Sequence, residues 1–267
     1  MNIRQLAIHA FEIFFIKNPH LRRFVTRLCY GERDVCVNLL GAELLINSAM
    51  ENGLFRAWKM SRNSSLLRDE LPVLITLAGL LRDGDFFLDV GANVGIYTLA
   101  LERFRRVYSR FDICAFEAHP QTFKRLEQSC RKRGIACHNV ALSDREGELD
   151  FYEGAVSHVF TTVDNASAYS IRDRVITVPC RRLDSYAFDS NSLVVKIDVE
   201  GQEMAVLRGF SKFLENGRVR IVYLDGYNSE EVLDYLRGFG FRFYNGRTLE
   251  PSDGRIFSLL AIKTTGI

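Results

Sequence analysis

Short, nearly unbroken apolar runs alternate along this chain with longer segments whose apolar residues recur at helical spacing. Runs of the first kind suit strands buried on both faces of a parallel sheet, and the longer segments suit the helices that cover it. Phe86–Val90, Asp112–Glu117, Ile135–Ala141, Ser192–Val199 and Arg220–Asp225 are the predicted main strands. Leu71–Leu81, apolar on nearly all sides, Gln121–Arg133, Val206–Leu214 and Ser229–Phe239 are predicted helices. Another helix opens at Ile96, Tyr97, Leu99 and Leu101. Polar Ser64–Asp69 is the predicted cap of the 71–81 helix, Pro72 fits its first turn, and Arg82-Asp83-Gly84-Asp85 ends it. Phe241–Tyr244 and Ile256–Ile262 read as closing strands. The pattern predicts an α/β fold with a doubly wound, mostly parallel sheet.

Residues 66–267 make up that domain, and residues 1–65 form a helical and hairpin extension before it. Asp34–Ile46 reads as two strands about a turn at Gly41. Leu6–Ile16 is apolar but interrupted by His9 and Glu12. It is well short of the ~20 residues that span a bilayer, and no signal-peptide cleavage pattern follows it. Leu21–Leu28 is basic and amphipathic. Two readings of residues 1–30 stay open. One is helical packing on the main domain or on a second copy in a homodimer; the other is peripheral contact with an anionic membrane.

Composition changes little. With 267 residues, 47% hydrophobic and 25% charged, the chain is an ordinary globular one. A net charge of +2 gives no case for nucleic acid as a partner. The six cysteines show no Cys-x-x-Cys pair, which suits reduced thiols in a cytoplasmic protein better than disulfides or zinc.

Candidate chemistry clusters at strand ends. Phe86–Val90 runs into Gly91-Ala92-Asn93-Val94-Gly95, a glycine turn before a helix that brings backbone N–H groups up to a ligand. Asp89, where strand meets loop, would repel a phosphate and attract an ammonium or sulfonium, which points to S-adenosylmethionine over a dinucleotide. A nicotinamide enzyme would also want a third glycine after Gly95, where Ile96, Tyr97 and Thr98 stand. Glu117 follows Gly95 by about twenty residues, the interval expected of an acid that binds ribose hydroxyls. In the fourth strand, Lys196, Asp198 and Glu200 share one face if the chain stays extended. Buried charges cost several kcal/mol unless paired or used, so this trio marks either a structural ion cluster or an active site. Between predicted strands at Glu148–Tyr152 and Val175–Pro179, Glu153–Ile171 is polar and irregular, in the manner of a substrate loop. His158 within it reads as a solvent-exposed loop histidine. No obvious set of metal ligands emerges.

Four linked segments, Phe87–Gly95, Phe116-Glu117-Ala118-His119-Pro120, Asn139–Asp144 with Gly147-Glu148-Leu149, and Val195–Gly201 with Glu203, resemble the FkbM-type methyltransferases from about Glu70 onward. The resemblance implies a class I, Rossmann-like methyltransferase fold with a reversed final strand and S-adenosylmethionine as donor. It implies that Gly91, Asn93 and Gly95 border the methionine part of the donor, with Asp89 nearby, and that Glu117 binds the ribose. Ala141, Leu142 and Ser143 would lie by the adenine, and Glu70 would approach the cofactor. The Asp198-Val199-Glu200-Gly201 segment would face the transferred methyl group, with Asp198 or Glu200 as base and Lys196 orienting or balancing charge. Asp225 stands where the family often has glutamate, which leaves its role open. The expected reaction is O-methylation of a sugar or glycan hydroxyl, lipid-linked in one version. The alternatives are a polyketide-like hydroxyl and a non-catalytic, membrane-associated cofactor-binding protein.

Overall fold

The computed structural model describes residues 19–60, 69–153, 160–162 and 174–264. Helix α1 (Pro19–Tyr30) leads into a hairpin of β1 (Asp34–Leu39) and β2 (Ala42–Asn47), then α2 (Asn52–Met60) and α3 (Leu71–Leu80). The main sheet starts with β3 (Asp85–Val90), α4 (Ile96–Leu101), β4 (Asp112–Phe116), α5 (Pro120–Arg131) and β5 (Ala136–His138). A second sheet follows: β6 (Ala141–Leu142), β7 (Gly147–Glu153), β8 (Phe160–Thr162) and β9 (Arg174–Arg181). The chain returns through β10 (Ser192–Ile197), α6 (Glu203–Gly209), α7 (Ser211–Glu215), β11 (Val219–Asp225), α8 (Glu231–Gly238), β12 (Phe241–Asn245) and β13 (Ser258–Lys263).

The seven strands of the main sheet run in the order β12-β13-β11-β10-β3-β4-β5. β11, β10, β3, β4 and β5 are parallel, whereas β13 is antiparallel to both β11 and β12. This is the class I methyltransferase arrangement, Rossmann-like with one reversed strand. The chain winds outward from β3 to β5 and then crosses to β10, so the order reverses between β3 and β10. Ligands bind at such a switch point, at the carboxyl ends of the strands.

Each face of the sheet buries one apolar cluster. On one face Leu88, Val90, Val195 and Ile197 pack with Phe210, Leu214 and Leu236. On the other, Phe87, Ile113 and Val194 pack with Leu77, Tyr97 and Leu99, and also with Leu44, Ile46 and Phe55 of the N-terminal extension. The hairpin is thus built into the core rather than appended to it. A buried ion pair, Arg125 Nη2 to Glu51 Oε1 at 2.7 Å, and a bond from Leu45 N to Ser129 Oγ at 2.8 Å fasten it to α5.

Several predicted elements change. The third strand, expected to run from Ile135 to Ala141, breaks at Asn139. That side chain donates from Nδ2 to the carbonyls of Glu117 at 2.8 Å and Ala118 at 2.9 Å, and the chain then joins the second sheet. β10 stops at Ile197 instead of Val199, so Glu200 belongs to a turn that passes through Gly201 at φ 86°. α3 is apolar on nearly all sides as expected, and one of those residues, Ile75, is 64% exposed. Of the predicted cap at 64–69, only Asp69 is described, and the residue at the cap, Glu70, makes no side-chain capping bond. The predicted helix 206–214 divides at the fully buried Phe210. The segment read as irregular contains β8, paired with β7. His158, like residues 1–18, lies outside the described residues. Among the described residues no helix is long and apolar enough to cross a membrane.

Candidate active site

The loop after β3 is shaped by three left-handed residues, Gly91 (φ 71°), Asn93 (φ 52°) and Gly95 (φ 89°). Glycine takes this conformation freely and asparagine is the side-chain-bearing residue that best tolerates it, which accounts for the Gly-x-Asn-x-Gly spacing. The amides of Gly91 and Ala92 both donate to the carbonyl of Phe116, at 3.0 and 2.9 Å. At Gly91 the requirement is also steric: a Cβ there would lie 1.9 Å from the carbonyl oxygen of Asp198. The glycine loop and the end of β10 therefore touch backbone to backbone.

Asp89 has a different job from the one its position suggested. It is completely buried and does not line the clefts beside the loop. Its Oδ2 accepts from the Thr98 amide at 3.1 Å and the Thr98 hydroxyl at 2.6 Å, and its Oδ1 lies 3.2 Å from Lys196 Nζ. Lys196, 2% exposed, also donates to the Gly91 carbonyl at 2.8 Å and lies 3.4 Å from Asp198 Oδ2. Burial works against the ammonium, but Asp89 and then Asp198 outweigh it and hold the Lys196 pKa above its ordinary value. Parallel pairing of β3 and β10 sets Lys196 opposite Asp89, which is why two charges share an apolar strand pair.

On one side of the Gly91–Asp198 contact is a cleft. Phe116, Val140, Leu142 and Phe151 give it apolar walls, and Asp198, Glu200 and Gln202 add polar lining. Ala141 lines it too, whereas Ser143 is buried beside it and Gly95 is covered by Leu126. Glu117 lies on its floor, with Oε2 accepting from the Asn93 amide and Oε1 from the His119 amide, each at 2.8 Å. Burial raises the Glu117 pKa to about 7, although those two amides and Lys196 pull it down. Each carboxylate oxygen keeps a lone pair for a ligand hydroxyl.

On the other side, a second cleft shares Gly91, Asn93, Asp198 and Glu200 with the first. Glu70, expected beside the cofactor, lines only this second cleft, together with Tyr97, Asp225, Asn52 and Arg22. Burial raises the Glu70 pKa to about 7; Asp225 and Asp198 add to the rise, while Tyr97 and Lys196 oppose it. Burial and Asp198 raise Asp225 as well. The side chain of Asp198 is 38% exposed, so it reaches ligand space while Lys196 holds it. Leu149 and Phe151 of β7, and Asn52 of α2, were not predicted site residues; the strand alternation of β7 was the one signal that marked its apolar face. Among the described residues no group of three or more histidines, cysteines and carboxylates is placed to hold a metal.

The methyltransferase FkbM domain matches residues 89–243. The hexuronic acid methyltransferase AglP of Haloferax volcanii is 29% identical over 174 residues, which cover 64% of this chain and 69% of that protein. Methyltransferase 1 of Beauveria bassiana is 27% identical over 149 residues, 48% of this chain and 59% of that protein. Among solved structures, the methyltransferase FkbM of Methylobacillus flagellatus KT aligns at a TM-score of 0.44 and 16% identity, covering 69% of this chain and 45% of that one.

Proposed function

We propose that this chain, which belongs to the FkbM methyltransferase family and is an S-adenosylmethionine-dependent methyltransferase, transfers the methyl group to a sugar hydroxyl. The observation that carries the reading is Asp198. This partly exposed carboxylate stands where the two clefts meet, its backbone locked by the Gly91 contact and its side chain by Lys196.

The first cleft fits the donor. Its apolar walls suit an adenine ring, and Glu117 offers acceptors for ribose hydroxyls. Asn93 Oδ1, a buried oxygen with no hydrogen-bond partner among the described residues, is an acceptor for the donor's ammonium. When bound, S-adenosylmethionine supplies an electrophilic methyl group on sulfur. The chain must then align a hydroxyl oxygen, exclude water and remove the hydroxyl proton. Asp198 takes that proton in this reading, and Glu200 lines the same junction. Lys196 is a positioning residue: its three contacts leave it no part in proton transfer. The second cleft receives the acceptor, and its carboxylates suit a hydroxyl-rich molecule, because sugar hydroxyls donate to them. The name of the Haloferax volcanii relative supports a sugar as the acceptor class.

The test is incubation with methyl-labelled S-adenosylmethionine and a panel of glycans, small phenols and polyketides, with products read by mass spectrometry. Labelled methyl ethers on sugars are the expected outcome. Label confined to the non-sugar acceptors, or to nitrogen or carboxyl groups, overturns the sugar hydroxyl as acceptor.

A further inference from the structure

Helix α1 has the composition of an interfacial helix and the exposure of one. Phe24 and Leu28, one helical turn apart, are 63% and 75% exposed. Tyr30 is 50% and Trp58 38% exposed, and both rings pack on Phe55, with centroids 5.3 and 5.9 Å away, so the apolar surface continues from α1 onto α2. Monomeric soluble proteins scatter exposed apolar residues singly, whereas here two exposed pairs, Phe24 with Leu28 and Tyr30 with Trp58, lie on two neighbouring helices and mark a contact surface.

Charge narrows the partner. From Lys17 to Arg33 the sequence carries five basic residues (Lys17, Arg22, Arg23, Arg27, Arg33) against one acidic residue, Glu32. Helix α1 itself has no acidic residue. Glu32 pairs with Arg23 at 3.1 Å and Arg27 at 3.0 Å, so one carboxylate serves two guanidiniums and the region stays positive. Lys59 Nζ lies 4.4 Å from the centre of the Trp58 ring. Apolar side chains flanked by arginine, lysine, tyrosine and tryptophan match the layered chemistry of a bilayer surface, apolar beneath and anionic above. A second copy of the chain would bring this positive surface against its own like.

The geometry points to α1 and the adjoining end of α2 as a docking surface for an anionic lipid bilayer, with Phe24 and Leu28 entering the interface. Arg22 of the same helix lines the second cleft. Docking therefore sets that cleft close to the bilayer surface, within reach of an acceptor carried on a lipid. The inference does not rest on the sugar reading, because its test needs no acceptor.

The experiment is flotation of the full chain with vesicles of phosphatidylcholine alone and of phosphatidylcholine with phosphatidylglycerol. The expected result is co-flotation with the anionic vesicles only, reduced several-fold when salt is raised to about 0.5 M. The variant Phe24→Ser/Leu28→Ser is expected to lose binding about tenfold or more. A second variant, Arg23→Gln/Arg27→Gln, loses the preference for anionic lipid. Both keep the thermal shift given by S-adenosylhomocysteine, which shows that they fold. The inference is overturned if the wild-type chain stays with the soluble fraction, or if the Phe24/Leu28 variant floats equally well. It is also overturned if light scattering finds a dimer that this variant dissociates, since the apolar surface is then covered by a second copy.

Discussion

Lys196→Met is the sharpest test of how the site is held together. Methionine keeps most of the aliphatic stem and removes the ammonium, which isolates electrostatics from packing. In the native chain the ammonium lies 3.2 Å from Asp89 Oδ1, an oxygen with no other polar partner among the described residues. Thr98 satisfies only Oδ2. Without Lys196 a fully buried carboxylate is half-bonded and uncompensated, and the Gly91 carbonyl loses its 2.8 Å donor. Removing one partner of a buried pair destabilises by about 3–5 kcal/mol, because the other charge stays behind. For a chain of this length that corresponds to a fall in melting temperature of roughly 8–15 °C. Urea unfolding followed by the emission of Trp58, the single tryptophan, measures it. The double variant Asp89→Asn/Lys196→Met removes both charges and is expected to recover at least ~1.5 kcal/mol of the loss. A loss below about 1 kcal/mol in the single variant, or strict additivity in the cycle, refutes the claim that this pair organises the site.

Three further perturbations separate the parts of the site. Gly91→Ala places a Cβ 1.9 Å from the Asp198 carbonyl at φ 71°, so it is expected to abolish the thermal shift given by S-adenosylhomocysteine; a normal shift rejects the backbone contact. Glu117, with a folded-state pKa of about 7 against ~4.3 for an unfolded glutamate, stabilises the ligand-free chain when protonated. That contribution is full below about pH 4, is lost as pH rises through 7, and amounts to about 4 kcal/mol for a shift of this size. Glu117→Gln should therefore narrow the melting gap between pH 5.5 and pH 8, and an unchanged gap counts against the assignment. Asp198→Asn is expected to lower kcat by about 10²–10⁴-fold while leaving donor affinity within about threefold, as isothermal titration and single-turnover kinetics will show. Weakened donor binding with unchanged kcat would move Asp198 from proton transfer to cofactor binding.

The architecture was readable because its signals are local. Five buried strands between helical patterns specify a parallel sheet, and the glycine loop announces its own conformation through Gly91, Asn93 and Gly95. The strand ends were less legible. Asn139 breaks a strand by bonding to Glu117 and Ala118, more than twenty positions away, and no window around Asn139 contains those partners. Asp89 was the most instructive residue. Its sequence position suggested a ligand-facing charge, and only the register of β3 against β10 reveals that its partner is Lys196. The N-terminal extension hid its role for the same reason. Leu44 and Ile46 read as a minor hairpin until the core they complete, formed with Leu77 and Tyr97, is seen.

Lys196 explains why donor and acceptor clefts keep a fixed relation. Its Nζ touches β3 through Asp89, the glycine loop through the Gly91 carbonyl and the end of β10 through Asp198. Those three segments are the wall between the two clefts. A flexible wall would let the reacting atoms drift, and misplacement by about 1 Å can cost a hundredfold in rate. Here the wall is fixed twice, by one buried ammonium and by a backbone contact that only glycine allows. Asp198 is thereby held at one position facing both clefts. Glu70 and Asp225, across the second cleft, carry raised pKa values because burial and neighbouring carboxylates disfavour further negative charge there. Glu70, with a pKa of about 7, is partly protonated near neutral pH, whereas Asp198 has the Lys196 ammonium 3.4 Å from its Oδ2. The same lysine that fixes the geometry therefore places a cation beside the proposed proton acceptor.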